Sequence, residues 1–131
     1  MSGPDPPIAG PIHSYRDLRV WQQAMTLAEA CYRITRQFPK EELYGMTSQI
    51  RRAAASVPAN IAEGRGRESR GEYIQFLRVA QGSLKELETH LILSHRITLT
   101  SVENVEPLLT QCEAVGKMLR ALIRSLESGR K

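Results

Sequence analysis

Residues 51–73 read RRAAASVPANIAEGRGRESRGEY, an alanine-rich stretch of helical spacing with a proline in its middle and an Arg/Gly run at its end. Ile50, Ala53, Ala54, Val57 and Ile61 fall on one helical face. Pro58 takes one amide donor from that helix and its ring presses on the carbonyl four residues back, so a bend or local opening is expected at about 3 kcal/mol. Gly64 is a natural left-handed stop, which sets helix two at 47–64 with Thr47 as its cap. Behind it, Ser69 and Glu72 have capping-box spacing, so a third helix opens there. It carries Tyr73, Leu77, Ala80, Leu84, Leu87 and Leu91 as far as residue 97.

The same periodicity extends in both directions. Helix four, at 102–128, repeats Val105, Leu108, Cys112, Val115, Leu119, Leu122 and Leu126. Ser101 can cap it, but Pro107 then falls past the first turn, so an irregular first turn is expected between the two. Helix one, at 14–38, starts at Ser14 with Asp17 three residues on and stops before Pro39. It has two apolar stripes. Val20, Ala24, Leu27, Cys31, Ile34 and Phe38 form one; Leu18, Trp21, Met25, Ala28 and Tyr32 form the other, about 120° round the wheel. No stretch competes as a strand, so the fold class is all-α, an antiparallel up-and-down four-helix bundle over 14–128. The Pro/Gly-rich arm at 1–13 is expected to be disordered, and 129–131 form a tail.

At 131 residues the chain is long enough for one core and too short for two. No apolar run approaches the roughly 20 residues of a membrane span, and the first residues lack the pattern of a secretory signal. The only two cysteines, Cys31 and Cys112, sit in apolar helical patterns, which fits a reduced, cytoplasmic protein. The net charge is +4. Between residues 47 and 71, Arg51, Arg52, Arg65, Arg67 and Arg70 oppose only Glu63 and Glu68.

These residue types do not assemble into an enzyme. Di-iron bundles repeat Glu-x-x-His on facing helices, and His13, His90 and His95 supply no such motif. Glu88 and His95 share a face but do not fill a coordination sphere. Neither cysteine has a partnered histidine in sequence. The run GRGRESRG matches neither the P-loop nor the dinucleotide fingerprint and follows a helix where both follow a strand. No catalytic residue, metal ligand or cofactor site is expected.

A basic turn remains. Arg65, Arg67 and Arg70 lie between the end of one helix and the start of the next, beside glycines that let backbone approach a phosphate. An equal reading gives Arg65 and Arg67 to the C-terminal carbonyls of helix two. The aromatic count is low and no aromatic flanks these arginines, so stacking on single-stranded bases is not expected to dominate. Upstream, Gln49, Arg52, Ser56, Asn60 and Glu63 form one polar edge of helix two. Glu88, on the same face as Leu84 and Leu91, needs a partner if buried. Arg51 is the expected one, with Arg52 second; otherwise Glu88 snorkels to solvent.

LRVWQQA at 18–24, FPKEELYGMTSQIRRAAASVPANIAEGRGR at 38–67 and FLRVAQGSLKELETHL at 76–91 strongly resemble the four-helix-bundle proteins encoded in bacterial 23S ribosomal RNA intervening sequences. SQIRRAAxSxPANIAEG is the specific part of a likeness running from about Tyr15 to Leu126. The resemblance implies ring-like homopentamers without enzymatic activity, structurally similar to the accessory variability protein of diversity-generating retroelements, which binds nucleic acid and a reverse transcriptase. The partners to expect are therefore further copies of this chain, RNA or DNA, and a reverse transcriptase. Periodicity independently points to self-association, because the two stripes of helix one cover about 200° where a monomer's surface helix buries somewhat over 100°. Leu18, Trp21, Met25 and Tyr32 are the expected interface. The competing arrangement folds Ile8 and Ile12 back over that stripe.

Overall fold

In the structure, a computed structural model that describes residues 14–129, Ser14 does cap a turn, but only the short 3-10 turn Tyr15–Asp17. The Arg16 amide donates to Ser14 Oγ at 3.1 Å, and the Ser14 amide donates to Asp17 Oδ2 at 3.2 Å. Leu18 is then extended, which breaks the helix and turns its side chain against the core. The first helix, α1, is therefore Arg19–Thr35, shorter at both ends than 14–38. At its far end the Thr35 hydroxyl donates to the Cys31 carbonyl at 2.8 Å, and Phe38 closes a tight turn before Pro39.

Helix α2 is Met46–Arg65, with Gly45 rather than Thr47 at the cap position. Thr47 is buried inside the helix, and Glu42 does the capping from the preceding turn: its Oε1 accepts from the Met46 amide at 3.0 Å. Pro58 lies buried within α2, and the helix continues through it. Gly64 is also inside the helix and is not a left-handed stop. Its role is close packing: a Cβ there would stand 2.8 Å from Phe76 Cβ and 3.0 Å from Tyr73 Cδ1 of the next helix.

Helix α3 is Arg70–Arg96, and Ser69 Oγ accepts from the Glu72 amide at 3.1 Å, as the spacing predicts. It ends in a Schellman pair: the Leu99 amide donates to the Ser94 carbonyl at 2.9 Å and the Thr98 amide to the His95 carbonyl at 3.2 Å. Thr98 takes the left-handed position usually held by glycine, at φ 64°. Helix α4, Val102–Glu127, starts regularly at Ser101, whose Oγ accepts from the Asn104 amide at 3.2 Å. The expected irregular turn is absent because Pro107 and Glu103 are both exposed, so water can serve the carbonyl that the proline leaves unpaired.

Each helix packs on its neighbours in the order α1–α2–α3–α4–α1, which is the square of an antiparallel four-helix bundle. Leu27, Ile50, Ile61, Leu77, Leu84, Leu87, Leu91 and Leu119 are fully buried at its centre. The first stripe of α1 enters this core. Of the second, Ala28 is buried, Leu18, Trp21 and Met25 are half-buried, and Tyr32 is exposed. Among the described residues no helix is long and apolar enough to cross a membrane. Residues 1–13 and 130–131, and with them the suggested folding back of Ile8 and Ile12, lie outside the described residues.

Candidate nucleic-acid interface

The α2–α3 pair is held close by small residues. Ser56 Oγ and Ser83 Oγ share a hydrogen bond at 2.8 Å across the two helices, and Asn60 Nδ2 donates to the Ser56 carbonyl at 2.8 Å and to its Oγ at 3.0 Å. Asn60 thus belongs to a polar link between helices. Ser83, which completes it, carries no signal in the sequence beyond its place on a helix.

Gly64 fixes how near the helices stand where the turn between them begins. Around that turn a cleft of about 600 Å³ brings Arg65, Arg67 and Arg70 together with Tyr73 over an apolar floor of Leu18, Leu122 and Leu126. Arg67 and Arg70 are exposed and Arg65 is half-buried. Arg70 opens α3, where unpaired amides favour an anion. Burial pushes the Tyr73 phenol up, with the Arg65 charge pulling the other way. Part of the basic charge is already engaged: Arg67 Nη2 meets Glu63 Oε2 at 2.9 Å, and its guanidinium lies 4.8 Å from the centre of the Phe76 ring. Glu68 also lines the cleft.

Arg52 does not join this group. It sits near the other end of α2, about 20 Å along the axis from Arg65 at ~1.5 Å per residue, in a separate cleft with Tyr32, Leu43 and Tyr44. The expected Arg51–Glu88 link is not formed. Arg51 turns toward α1, where its Nε donates to Thr35 Oγ1 at 2.9 Å and its guanidinium stacks 4.8 Å from the Tyr32 ring centre. Glu88 is only half-buried and meets Lys85 Nζ of its own helix at 3.2 Å, which removes the need for a partner across the bundle.

Leu18, Trp21, Met25 and Tyr32 are partly occupied within the chain. Leu18 packs on the core, and Trp21 stands edge-on to Tyr15 with ring centres 5.3 Å apart. An apolar groove of about 560 Å³ still runs between α1 and α2, lined by Trp21, Met25, Tyr32, Ala55, Pro58 and Ala59 among others. Buried Pro58 therefore contributes to a surface as well as to a helix.

The two cysteines are buried in the core. Burial raises the Cys31 thiol to about 12 and the Cys112 thiol still higher, so neither supplies a thiolate. His90 Nδ1, Ser94 Oγ and Gln111 Oε1 are buried polar atoms without hydrogen bonds. Among the described residues no group of His, Cys, Asp or Glu is placed to hold a metal ion.

The architecture is that of an all-α four-helix bundle, with a basic cleft at one end and an apolar groove along one side. The sequence profile of the 23S rRNA-intervening sequence protein family matches residues 16–121, and the chain belongs to that family. Its fold is similar to the crystal structure of a protein with unknown function from the S23 ribosomal protein family of Bacteroides thetaiotaomicron, at a TM-score of 0.72 and 25% identity over 79% of this chain and 97% of that one. No curated protein matches the chain.

Proposed function

We propose that this protein is a non-enzymatic, self-associating helical-bundle scaffold that holds nucleic acid, structured RNA foremost, through the cleft at the α2–α3 turn. The observation that carries this reading is the convergence of Arg65, Arg67 and Arg70 on one cleft at the opening of α3. Guanidinium groups take phosphate bidentately, and in an oligomer each subunit repeats the same weak contact, so the contacts add through multivalency. The α1–α2 groove supplies the apolar surface for assembly, and a ring of five follows from the family resemblance. The test measures binding of a structured RNA and an unrelated duplex at two salt concentrations. Salt-sensitive affinity that disappears when Arg65, Arg67 and Arg70 are all changed to Glu, with the helical signal intact, supports the cleft. Binding retained by that variant moves the site elsewhere.

The groove also favours a second reading, an adaptor that binds a partner protein such as a reverse transcriptase without touching nucleic acid. Its apolar lining suits a helix of another chain. No RNA binding at low salt supports the adaptor. Light scattering during gel filtration tests assembly: the mass of one chain rejects the ring, while polar residues in place of Trp21 and Met25 break a real one into folded monomers.

A further inference from the structure

At the other end of α2 the chain builds a different kind of surface. The turn between α1 and α2 presents Tyr44 at 92% exposure, with Leu43 beside it at 48%. An aromatic ring left almost wholly in water is unfavourable for the free protein, and this turn fixes the backbone that carries it. The Glu42 amide donates to the Pro39 carbonyl at 2.9 Å, the Leu43 amide to the Lys40 carbonyl at 3.0 Å, and the Gly45 amide to the Glu42 carbonyl at 2.9 Å. Glu42 then anchors the turn to α2 by capping Met46. With the backbone already ordered, packing on this ring costs only the side chain's own rotamer freedom.

Tyr44 shares a cleft of about 390 Å³ with Tyr32, Arg51 and Arg52. Arg51 is locked by Thr35 and the Tyr32 ring, while Arg52 is exposed on the next position of the helix. Of the nearby acids, Glu42 is turned to the Met46 amide and Glu41 is exposed on the turn. The juxtaposition is an open aromatic face beside fixed and free guanidinium groups.

We propose that this cleft is a single-strand nucleic-acid site, in which one unpaired base stacks on Tyr44 and the adjoining phosphates meet Arg52 and Arg51. It rests on the nucleic-acid reading of the protein but not on the α2–α3 turn. The chemistry selects a single strand, since every base has a face to offer an exposed ring, whereas a duplex keeps those faces stacked inside. The cleft has the size of a small-ligand site, which is about 300–1,000 Å³, and so takes a nucleotide unit rather than a helix. Clustered tyrosine and arginine are also what a protein partner meets, and the experiment separates the two.

The test is fluorescence anisotropy of the full-length protein with a labelled 12-nucleotide RNA lacking secondary structure, the DNA of the same sequence, and the corresponding duplex. Tyr44→Ala lowers single-strand affinity about 5- to 150-fold, matching ~1–3 kcal/mol per stacked base, and leaves duplex binding unchanged. Tyr44→Phe, which keeps the ring, restores it. Arg52→Ala weakens single-strand binding and flattens its salt dependence by about 0.7 in the log–log slope for one lost phosphate contact. Equal binding of RNA and DNA supports stacking with backbone contacts; preference for RNA adds a contact to the 2′-hydroxyl. Changing the three arginines of the α2–α3 turn to Glu leaves the Tyr44 effect in place. Single-strand affinity indifferent to Tyr44→Ala, or a Tyr44→Ala protein that changes its assembly mass instead of its RNA affinity, overturns the proposal while leaving the structured-RNA reading intact. Failure of the wild type to bind either RNA rejects both.

Discussion

Gly64 and Gly82 are both helical glycines, and the structure assigns them opposite responses to alanine. At Gly64 the added Cβ meets Phe76 Cβ at 2.8 Å, Tyr73 Cδ1 at 3.0 Å and the Tyr73 carbonyl oxygen at 3.2 Å. Carbon atoms rest at about 3.5–4.0 Å, so α3 must retreat by more than half an ångström, and two of the obstructing atoms are a Cβ and a backbone oxygen that cannot rotate away. Overpacking of this kind costs about 1–3 kcal/mol. Alanine returns about 1 kcal/mol of helix propensity, leaving Gly64→Ala destabilised by roughly 2 kcal/mol at the upper end of that range. At Gly82 nothing lies within 4 Å of the added carbon, so only the propensity gain of about 1 kcal/mol operates. Thermal melts at one protein concentration read the pair. At about 4 °C per kcal/mol, Gly64→Ala falls by roughly 8 °C and Gly82→Ala rises by roughly 4 °C. A Gly64→Ala protein that melts at or above the wild type refutes the close crossing, and with it the account of how the α2–α3 turn is held. The same variant is expected to weaken structured-RNA binding, because the arginines are carried on the displaced segment.

Thr98 is β-branched and held at φ 64°, so Thr98→Gly is expected to stabilise the protein by about 1 kcal/mol and Thr98→Val not at all, as equilibrium denaturation will show. The thiols give a pH prediction. Burial raises Cys31 from 9.0 to about 12, so the folded state holds its proton more tightly than the unfolded chain. The stability tied to this proton is complete below about pH 9 and declines as pH rises toward about 12, so the midpoint of a denaturant melt should fall across that window and hold flatter in a Cys31→Ala protein. Neither thiol of the native protein should react with a maleimide at pH 8 until the bundle unfolds.

The Glu88 reading shows where sequence reasoning stops short. Its place on the wheel beside Leu84 and Leu91 leaves two outcomes open, burial against Arg51 or a position at the helix edge, because the wheel does not say how far the neighbouring helix is rotated. In the bundle Glu88 comes to rest at an edge, with Lys85 three residues earlier as its partner. Gly64 taught the same lesson: local propensity reads it as a stop, whereas packing against Phe76 makes it part of the crossing. Thr47 lost its capping role to Glu42 because a 3-10 turn carried that carboxylate to the helix start.

What the sequence determined alone is the set of four helices, their order and the apolar face of each, because those follow from periodicity and capping, which are local and act within a few residues. The arginines of the α2–α3 turn were legible for the same reason, being neighbours in the chain. The Ser56–Ser83 link, the turning of Arg51 onto Tyr32 and the exposure of Tyr44 beside Arg52 were decided by tertiary structure. Each depends on the rotation and separation of two segments, and these are fixed by how side chains far apart in sequence fill the space between helices.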